Sequence, residues 1–330
     1  EMLYAVLSQK FKTHKTQGNL NNELGVPLTL LSMPEDTEAA VIEMGISDFG
    51  EMTRLSEMVQ PTICVLTIIG ECHLENLGNR DGVLKAKTEM FKNARENADF
   101  LLNGGDDKLS TVKTVNGKKP VFFGLDAKND FYAKNIKNSG DGKVLATLCF
   151  DNNNIDVEIP AIGTYMVTNA LAAAAAGKLL GLTDEEIANG VASYKTVGSR
   201  ANVINTGKIK IIDDCYNATP TSVRASLDTL SNLDGRKVAI LGDMKELGSE
   251  ELKLHFDTGV YAKSKGIGTV ITVGELAKEL AKGADGKAFD TIEDAKPEIL
   301  KTIKSGDVVL VKASHSMQFE NIVEFLKQNF

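Results

Sequence analysis

Short apolar runs that end in turn or acidic residues alternate with stretches of helical periodicity over most of this chain. AAVIEMG (39–45), PTICVLT (61–67) and ADFLLNG (98–104) predict buried strands. Between them, GEMTRLSEM (50–58) and DGVLKAKTEMFKNAREN (81–97) carry their apolar residues on one helical face. This alternation predicts a mostly parallel sheet covered by helices. From 119 to 160 the pattern changes to PVFFGL, FYAKNIK, KVLATLCF and IDVEIP, separated by Asn, Gly and Asp, which predicts a small antiparallel insert.

An alanine-rich helix is expected over 165–180, and a second is expected to start at Thr183 as its cap, with Glu185 and Glu186 in the first turn. SYKTVGSRANV (193–203) has no clear period and reads as a linker, so the domain boundary is placed between 197 and 198. Beyond it KIKIID (208–213), KVAILGD (237–243), GTVITVG (268–274) and DVVLVKA (307–313) predict strands, with helices over 220–230 and 250–265. The expected fold is α/β. Residues 1–197 form a larger domain with a mostly parallel sheet and the antiparallel insert, and 198–330 a smaller, doubly wound, Rossmann-like domain. Met2, Leu3, Val6, Leu7 and Phe11 also recur at helical spacing with nothing before them to cap a first turn, so the chain is expected to open inside a helix.

Composition narrows the function classes. With 330 residues, 42% hydrophobic and 25% charged, the chain can bury a core in each of two domains. A net charge of -8 leaves no basic stripe to displace counterions, so nucleic acid is not an expected partner. The four cysteines, Cys64, Cys72, Cys149 and Cys215, form no C-x-x-C pair and fit neither a zinc ribbon nor a disulfide framework. NALAAAAAGKLLGL (169–182), the most apolar stretch, is too short to span a bilayer, and no signal peptide is visible, so a cytoplasmic protein is expected.

Candidate chemistry gathers where strands end, because ligands of open α/β sheets bind at the carboxyl ends of strands. Glu43 closes AAVIEMG, where a carboxylate suits Mg²⁺ but equally suits a hydrogen bond to a neighbouring loop. His73 follows PTICVLT by a short Gly-containing loop and can reach the same rim, either as a ligand or as a structural imidazole. TQGNLNNELGVP (16–27) clusters asparagines around Gly18, and IIDDCYNATP (211–220) sets Asp213, Asp214, Tyr216 and Asn217 ahead of a helix N-terminus. None of the Gly-Lys pairs is followed by Ser or Thr, so no phosphate-binding P-loop is present.

Together these strings resemble the Mur ligases of peptidoglycan synthesis. They are TQGNLNNELGVPLTLL (16–31), VIEMG with GEM (41–52), IGECHLENLG (69–78), KAKTEMF (85–91), TNALAAAAAG (168–177), IIDDCYNATPTSVRASL (211–227), ILGDMKELG (240–248) and VKASHSM (311–317). They stand in family order along essentially the whole chain. The resemblance is nearest to the branch that adds D-alanyl-D-alanine to UDP-N-acetylmuramoyl-tripeptide. It implies a monomer that uses ATP and two Mg²⁺ ions and forms an amide through an acyl phosphate. It also implies that the segment in hand lacks the family's N-terminal domain and P-loop and is inactive alone.

Laid on this sequence, the resemblance makes Glu43, His73 and Lys87 metal ligands and catalytic groups, with Lys87 carrying CO₂ as a carbamate. An ammonium would repel Mg²⁺, whereas a carbamate offers an anionic oxygen. Asn169, Arg200, Asp214, Tyr216 and Asn217 are implied to meet the nucleotide. Asn19, Asn22, Lys312, Ser314 and His315 are implied to meet the substrates. The sequence departs from the family at Ile68, where asparagine is common, at Cys72, which replaces a small residue, and at His315, where arginine is frequent. Two further readings stay open: a non-catalytic binding protein that kept the fold, and a related ligase acting at another Mur step or on folate.

Overall fold

The computed structural model describes residues 1–139 and 142–330. In chain order, the N-terminal part comprises α1 (Met2–Leu7), β1 (Thr13–Lys15), α2 (Gly25–Leu31), β2 (Ala39–Val41), α3 (Glu51–Val59), β3 (Ile63–Leu66), α4 (Leu74–Leu77), α5 (Arg80–Thr88), β4 (Asp99–Asn103) and β5 (Val121–Phe123). It continues through β6 (Tyr132–Ser139), β7 (Lys143–Phe150), β8 (Asn153–Ile159), α6 (Tyr165–Leu179) and α7 (Asp184–Ala192). The C-terminal part comprises β9 (Asn202–Asn205), β10 (Lys210–Asp213), α8 (Pro220–Ser231), β11 (Arg236–Gly242), α9 (Glu251–Ser264), β12 (Thr269–Val273), α10 (Ala277–Ala284), β13 (Lys287–Phe289), α11 (Ile292–Thr302), β14 (Asp307–Lys312) and α12 (Glu320–Asn329).

Among the described residues, three small sheets build the N-terminal part. β1 and β2 pair in parallel, β3, β4 and β5 form a parallel sheet, and β6, β7 and β8 an antiparallel one. Two expectations are corrected here. PVFFGL does not belong to the antiparallel insert: β5 pairs in parallel with β4, Leu101 opposite Val121. The long amphipathic helix over 81–97 stops at Thr88 and tightens into a 3₁₀ turn, Glu89–Asn93, so Met90 and Phe91 turn into the core instead of continuing the helical face. α6 is buried nearly all round, as its unbroken alanines require, and its small side chains let α1 and α7 pack close. Thr183 caps α7 in a reciprocal capping box with Glu186.

The C-terminal sheet runs β13-β12-β11-β14-β10-β9, parallel except for β9. β14 is the last strand in sequence yet lies in the middle, between β11 and β10. All six of its residues are buried, which is why VVLV (308–311) reads as a continuous apolar run and not an alternating one. α8 opens with Pro220 at its first turn and a Thr219–Ser222 capping box. α9 and α10 meet at two glycines: a Cβ on Gly259 would lie 2.0 Å from the Leu280 carbonyl oxygen, and one on Gly283 2.2 Å from that of Phe256.

Candidate functional site

The loop that follows β3 carries His73, and it is held from several sides. Buried Asp106 accepts the Ile69 amide at 2.9 Å, and the Arg80 Nε donates to the Ile69 carbonyl at 2.7 Å. Arg80 itself stands at the first position of α5, which Asn79 caps through the amides of Asp81 and Gly82. One helix later, Lys87 sends its Nζ back to the Ile68 carbonyl at 3.0 Å. The acceptor is backbone, so the unusual side chain at position 68 does not disturb this contact.

His73 adopts a left-handed backbone, φ 53°, at the N-terminus of α4, and its Nδ1 lies 2.5 Å from the Glu246 Oε2 of the C-terminal part. Glu71, two residues before it, accepts a hydrogen bond from the Thr221 hydroxyl of α8. Cys72 between them has its thiol pushed up, chiefly by burial, against the opposing charge of Lys87 and with added pressure from Glu246 and Glu71. Lys87, Glu71 and Glu246 therefore share one neighbourhood with His73.

Glu43 lies two residues beyond the end of β2, because the strand expected over 39–45 ends at Val41. Its exposed carboxylate accepts from Asn21 Nδ2 at 2.9 Å, and its amide donates to the Thr16 hydroxyl at 2.9 Å. No hydrogen bond or ion pair among the described residues joins Glu43 to His73 or Lys87, and no group of three or more His, Cys, Asp or Glu there is arranged to hold a metal ion. The donor chemistry fits Mg²⁺ unevenly. Glu43 offers the hard oxygen that ion prefers and His73 a nitrogen, while Lys87 becomes a donor only after conversion to a carbamate.

Four of the implied nucleotide residues, Arg200, Asp214, Tyr216 and Asn217, gather in the C-terminal part. The Asp214 carboxylate accepts from Ala201 N at 3.0 Å and the Ser226 hydroxyl at 2.6 Å, and pairs with the buried Lys312 Nζ at 2.7 Å. Lys312 also donates to the Asn217 carbonyl at 2.8 Å. The Arg200 guanidinium lies 3.8 Å from the centre of the Tyr216 ring, and the His315 ring is 5.9 Å from the same ring. Ser314 is buried, its hydroxyl accepting the Lys245 amide at 2.9 Å. Asn169, half-buried on α6, has its side-chain amide 3.6 Å from the Met166 sulfur. Asn19 is exposed, and Asn22 accepts the amides of Leu24 and Gly25 just ahead of α2.

Three participants escaped the sequence reading. Asn21, which holds Glu43, stood in a cluster where all three asparagines looked alike. Thr221 read only as helix start. Glu246 lies inside ILGDMKELG, but its φ of 65° and its reach to His73 depend on how the two parts meet.

The loop behind Glu246 is pinned from below by His255, fully buried on α9. Its Nε2 accepts the Met244 amide at 2.9 Å while its Nδ1 faces the Glu251 carbonyl at 2.6 Å, an arrangement only the neutral ring satisfies. Burial lowers its pKa, the Glu251 carbonyl opposing. A folded-state value below the unfolded value of about 6.5 means the unfolded chain binds more protons between the two. The stabilisation is complete above about pH 6.5 and is lost as pH falls toward the depressed value. Urea midpoints of the protein are expected to fall between pH 7.5 and 5.5, and His255→Gln to flatten that part of the profile.

Comparison with known proteins fits this layout. A model of the Mur ligase middle domain matches residues 1–177, and one of the Mur ligase glutamate ligase domain matches 199–315. The UDP-N-acetylmuramoyl-tripeptide--D-alanyl-D-alanine ligase of Bacillus subtilis (strain 168) is 36% identical, over 99% of this chain and 72% of that protein. The ligase of the same name from Escherichia coli (strain K12) is 34% identical, over 100% of this chain and 74% of that one. Among solved structures, MurF from Acinetobacter baumannii superposes with a TM-score of 0.94 at 31% identity, covering 99% of this chain and 73% of that one. MurF ligase from Thermotoga maritima in complex with ADP gives 0.90 at 29%, covering 100% and 76%. A folylpolyglutamate synthase from Mycobacterium tuberculosis, at 14% identity and a TM-score of 0.73 over 98% of this chain and 87% of that one, shares the fold alone. Likeness along both parts, at identities that carry more than architecture, shows that the chain belongs to the Mur ligase family.

Proposed function

We propose that this chain serves ATP-dependent amide bond formation, adding D-alanyl-D-alanine to UDP-N-acetylmuramoyl-tripeptide in peptidoglycan synthesis. The observation that carries the reading is 36% identity over 99% of the chain to a ligase named for that reaction. In the reaction ATP phosphorylates the tripeptide carboxylate, the dipeptide amine attacks the acyl phosphate, and ADP and phosphate leave. Mg²⁺, when bound, offsets the charge of the phosphates and of the approaching carboxylate.

Glu43, His73 and Lys87 are the groups that would hold the cations. For Lys87 this needs the neutral amine to attack the carbon of CO₂ and release a proton, leaving a carbamate oxygen as donor. Its present contact with the Ile68 carbonyl supports the reading by placing the nitrogen beside the His73 loop. Asn169, Arg200, Asp214, Tyr216 and Asn217 form the nucleotide side. Asn19, Asn22, Ser314 and His315 form the substrate side, with Lys312 bracing it through Asp214 and Asn217. Contacts between the two parts would keep water from the acyl phosphate, whose hydrolysis competes with amide formation. We place the domain boundary between 197 and 198, and we assign the protein to the cytoplasm as a monomer; among the described residues no helix is long and apolar enough to cross a membrane.

The test is phosphate release by the full gene product carrying this chain, given ATP, Mg²⁺ and UDP-N-acetylmuramoyl-tripeptide. Release is expected to depend on D-alanyl-D-alanine and to fall when dissolved CO₂ is stripped from the buffer. Failure to form ADP with both substrates present refutes the function; turnover indifferent to CO₂ refutes the carbamate.

A further inference from the structure

His73 and Glu246 are both non-glycine residues in the left-handed region, at φ 53° and 65°, and they face each other across the junction of the two parts. Such backbone is costly, so two instances meeting in one side-chain contact are more than loop geometry requires. The backbone around Glu246 is also docked: its carbonyl accepts the Glu75 amide at 3.4 Å, and a Cβ on Gly248 would come within 3.3 Å of the Glu75 Cα. Leu247 between them is buried in the C-terminal core. The carboxylate is thus presented to the ring from a fixed frame.

Resting on the reading of His73 as a cation ligand, we infer that Glu246 is a positioning residue that completes a carboxylate–histidine–cation triad from the opposite part of the chain. The ionised carboxylate can only accept, so the Nδ1 facing it carries the proton and the lone pair is left on Nε2. A carboxylate behind a ligating imidazole fixes the tautomer and ring orientation and raises the basicity of the other nitrogen. Because Glu246 belongs to the C-terminal part, cation affinity and the docking of the two parts become one linked equilibrium.

The experiment uses the full gene product, labelled with ¹⁵N at histidine. Metal-free spectra at pH 8.5 are expected to show His73 protonated on Nδ1, and Glu246→Ala to redistribute the proton toward Nε2. Titration with Mn²⁺ alone is expected to show about 10- to 100-fold weaker binding in that variant. Glu246→Gln, whose amide oxygen still accepts, is expected to restore the tautomer and much of the affinity. Where alanine at a positive φ prevents folding, Glu246→Gly removes the carboxylate without that strain. Mn²⁺ affinity unchanged by His73→Ala, or no Mn²⁺ binding to the unsubstituted protein, overturns the ligand reading and the triad with it. Affinity lost in His73→Ala but retained in Glu246→Ala, with the tautomer unmoved, overturns the triad alone.

Discussion

Lys312→Met is expected to remove about 3 to 5 kcal/mol of folding stability. The ammonium is buried, 2.7 Å from the Asp214 carboxylate and 2.8 Å from the Asn217 carbonyl, and methionine fills the volume without supplying charge. What the substitution leaves is a largely buried carboxylate with no counter-charge, and that orphan dominates the cost. Donors from Ser226 and Ala201 stay in place and hold the loss near the lower figure. Adding Asp214→Asn removes the orphan, so the double variant is expected to recover much of the stability, with a coupling energy of about 0.5 to 3 kcal/mol. Urea unfolding of the four proteins measures the cycle. A single-variant loss below about 1 kcal/mol would mean that water reaches the pair freely.

The second large effect is expected at the crossing of α9 and α10. Gly259→Val places a branched side chain where even a Cβ would lie 2.0 Å from the Leu280 carbonyl oxygen and 2.9 Å from the Ala284 amide nitrogen. Both are helix backbone, which cannot rotate aside as a side chain can. Relief requires the helices to separate, stripping contacts from Leu280 and Ala262 in the core beneath. Overpacking of this kind costs typically about 1 to 3 kcal/mol and here is expected at or above the upper end, even after the gain from removing glycine from a helix interior. Gly268→Ala is the control, since nothing lies within 4 Å of a Cβ there. Thermal unfolding is expected to separate the two variants clearly.

How plainly the chain spells out an element depends on how local that element's cause is. VVLV (308–311) is legible because each of its positions is buried and apolar, and α7 and α8 because Thr183 and Thr219 cap them. β5 reads as part of the antiparallel insert because a three-residue strand looks the same whether its partner is parallel or antiparallel. The stop at Thr88 was hidden because Glu89–Asn93 keep apolar residues at nearly helical spacing while the backbone tightens. β1 and β13, three residues each, fall below the length at which a period can show.

At the candidate site, residue types suggested the chemistry, and the fold supplied the partners. A lone His73 between Glu71 and Glu75 gives no hint that the carboxylate nearest its ring is Glu246, because that meeting depends on the junction of the two parts. Arg200 and Tyr216 stand 16 positions apart, and only the return of the chain through β9 and β10 stacks them. Lys312 was expected among substrate groups. Its burial against Asp214 shows that a lysine at the end of a central strand also has internal charge to balance.

Because the place between β11 and β10 is filled by Asp307–Lys312, the facing edges of these two strands have no permanent neighbour until that segment has been synthesised. A ribosome that stalls or terminates before that point releases a nascent chain with two open apolar strand edges, a template for mispairing or chaperone capture. Maturation of this half of the molecule is therefore timed by the emergence of Asp307–Lys312.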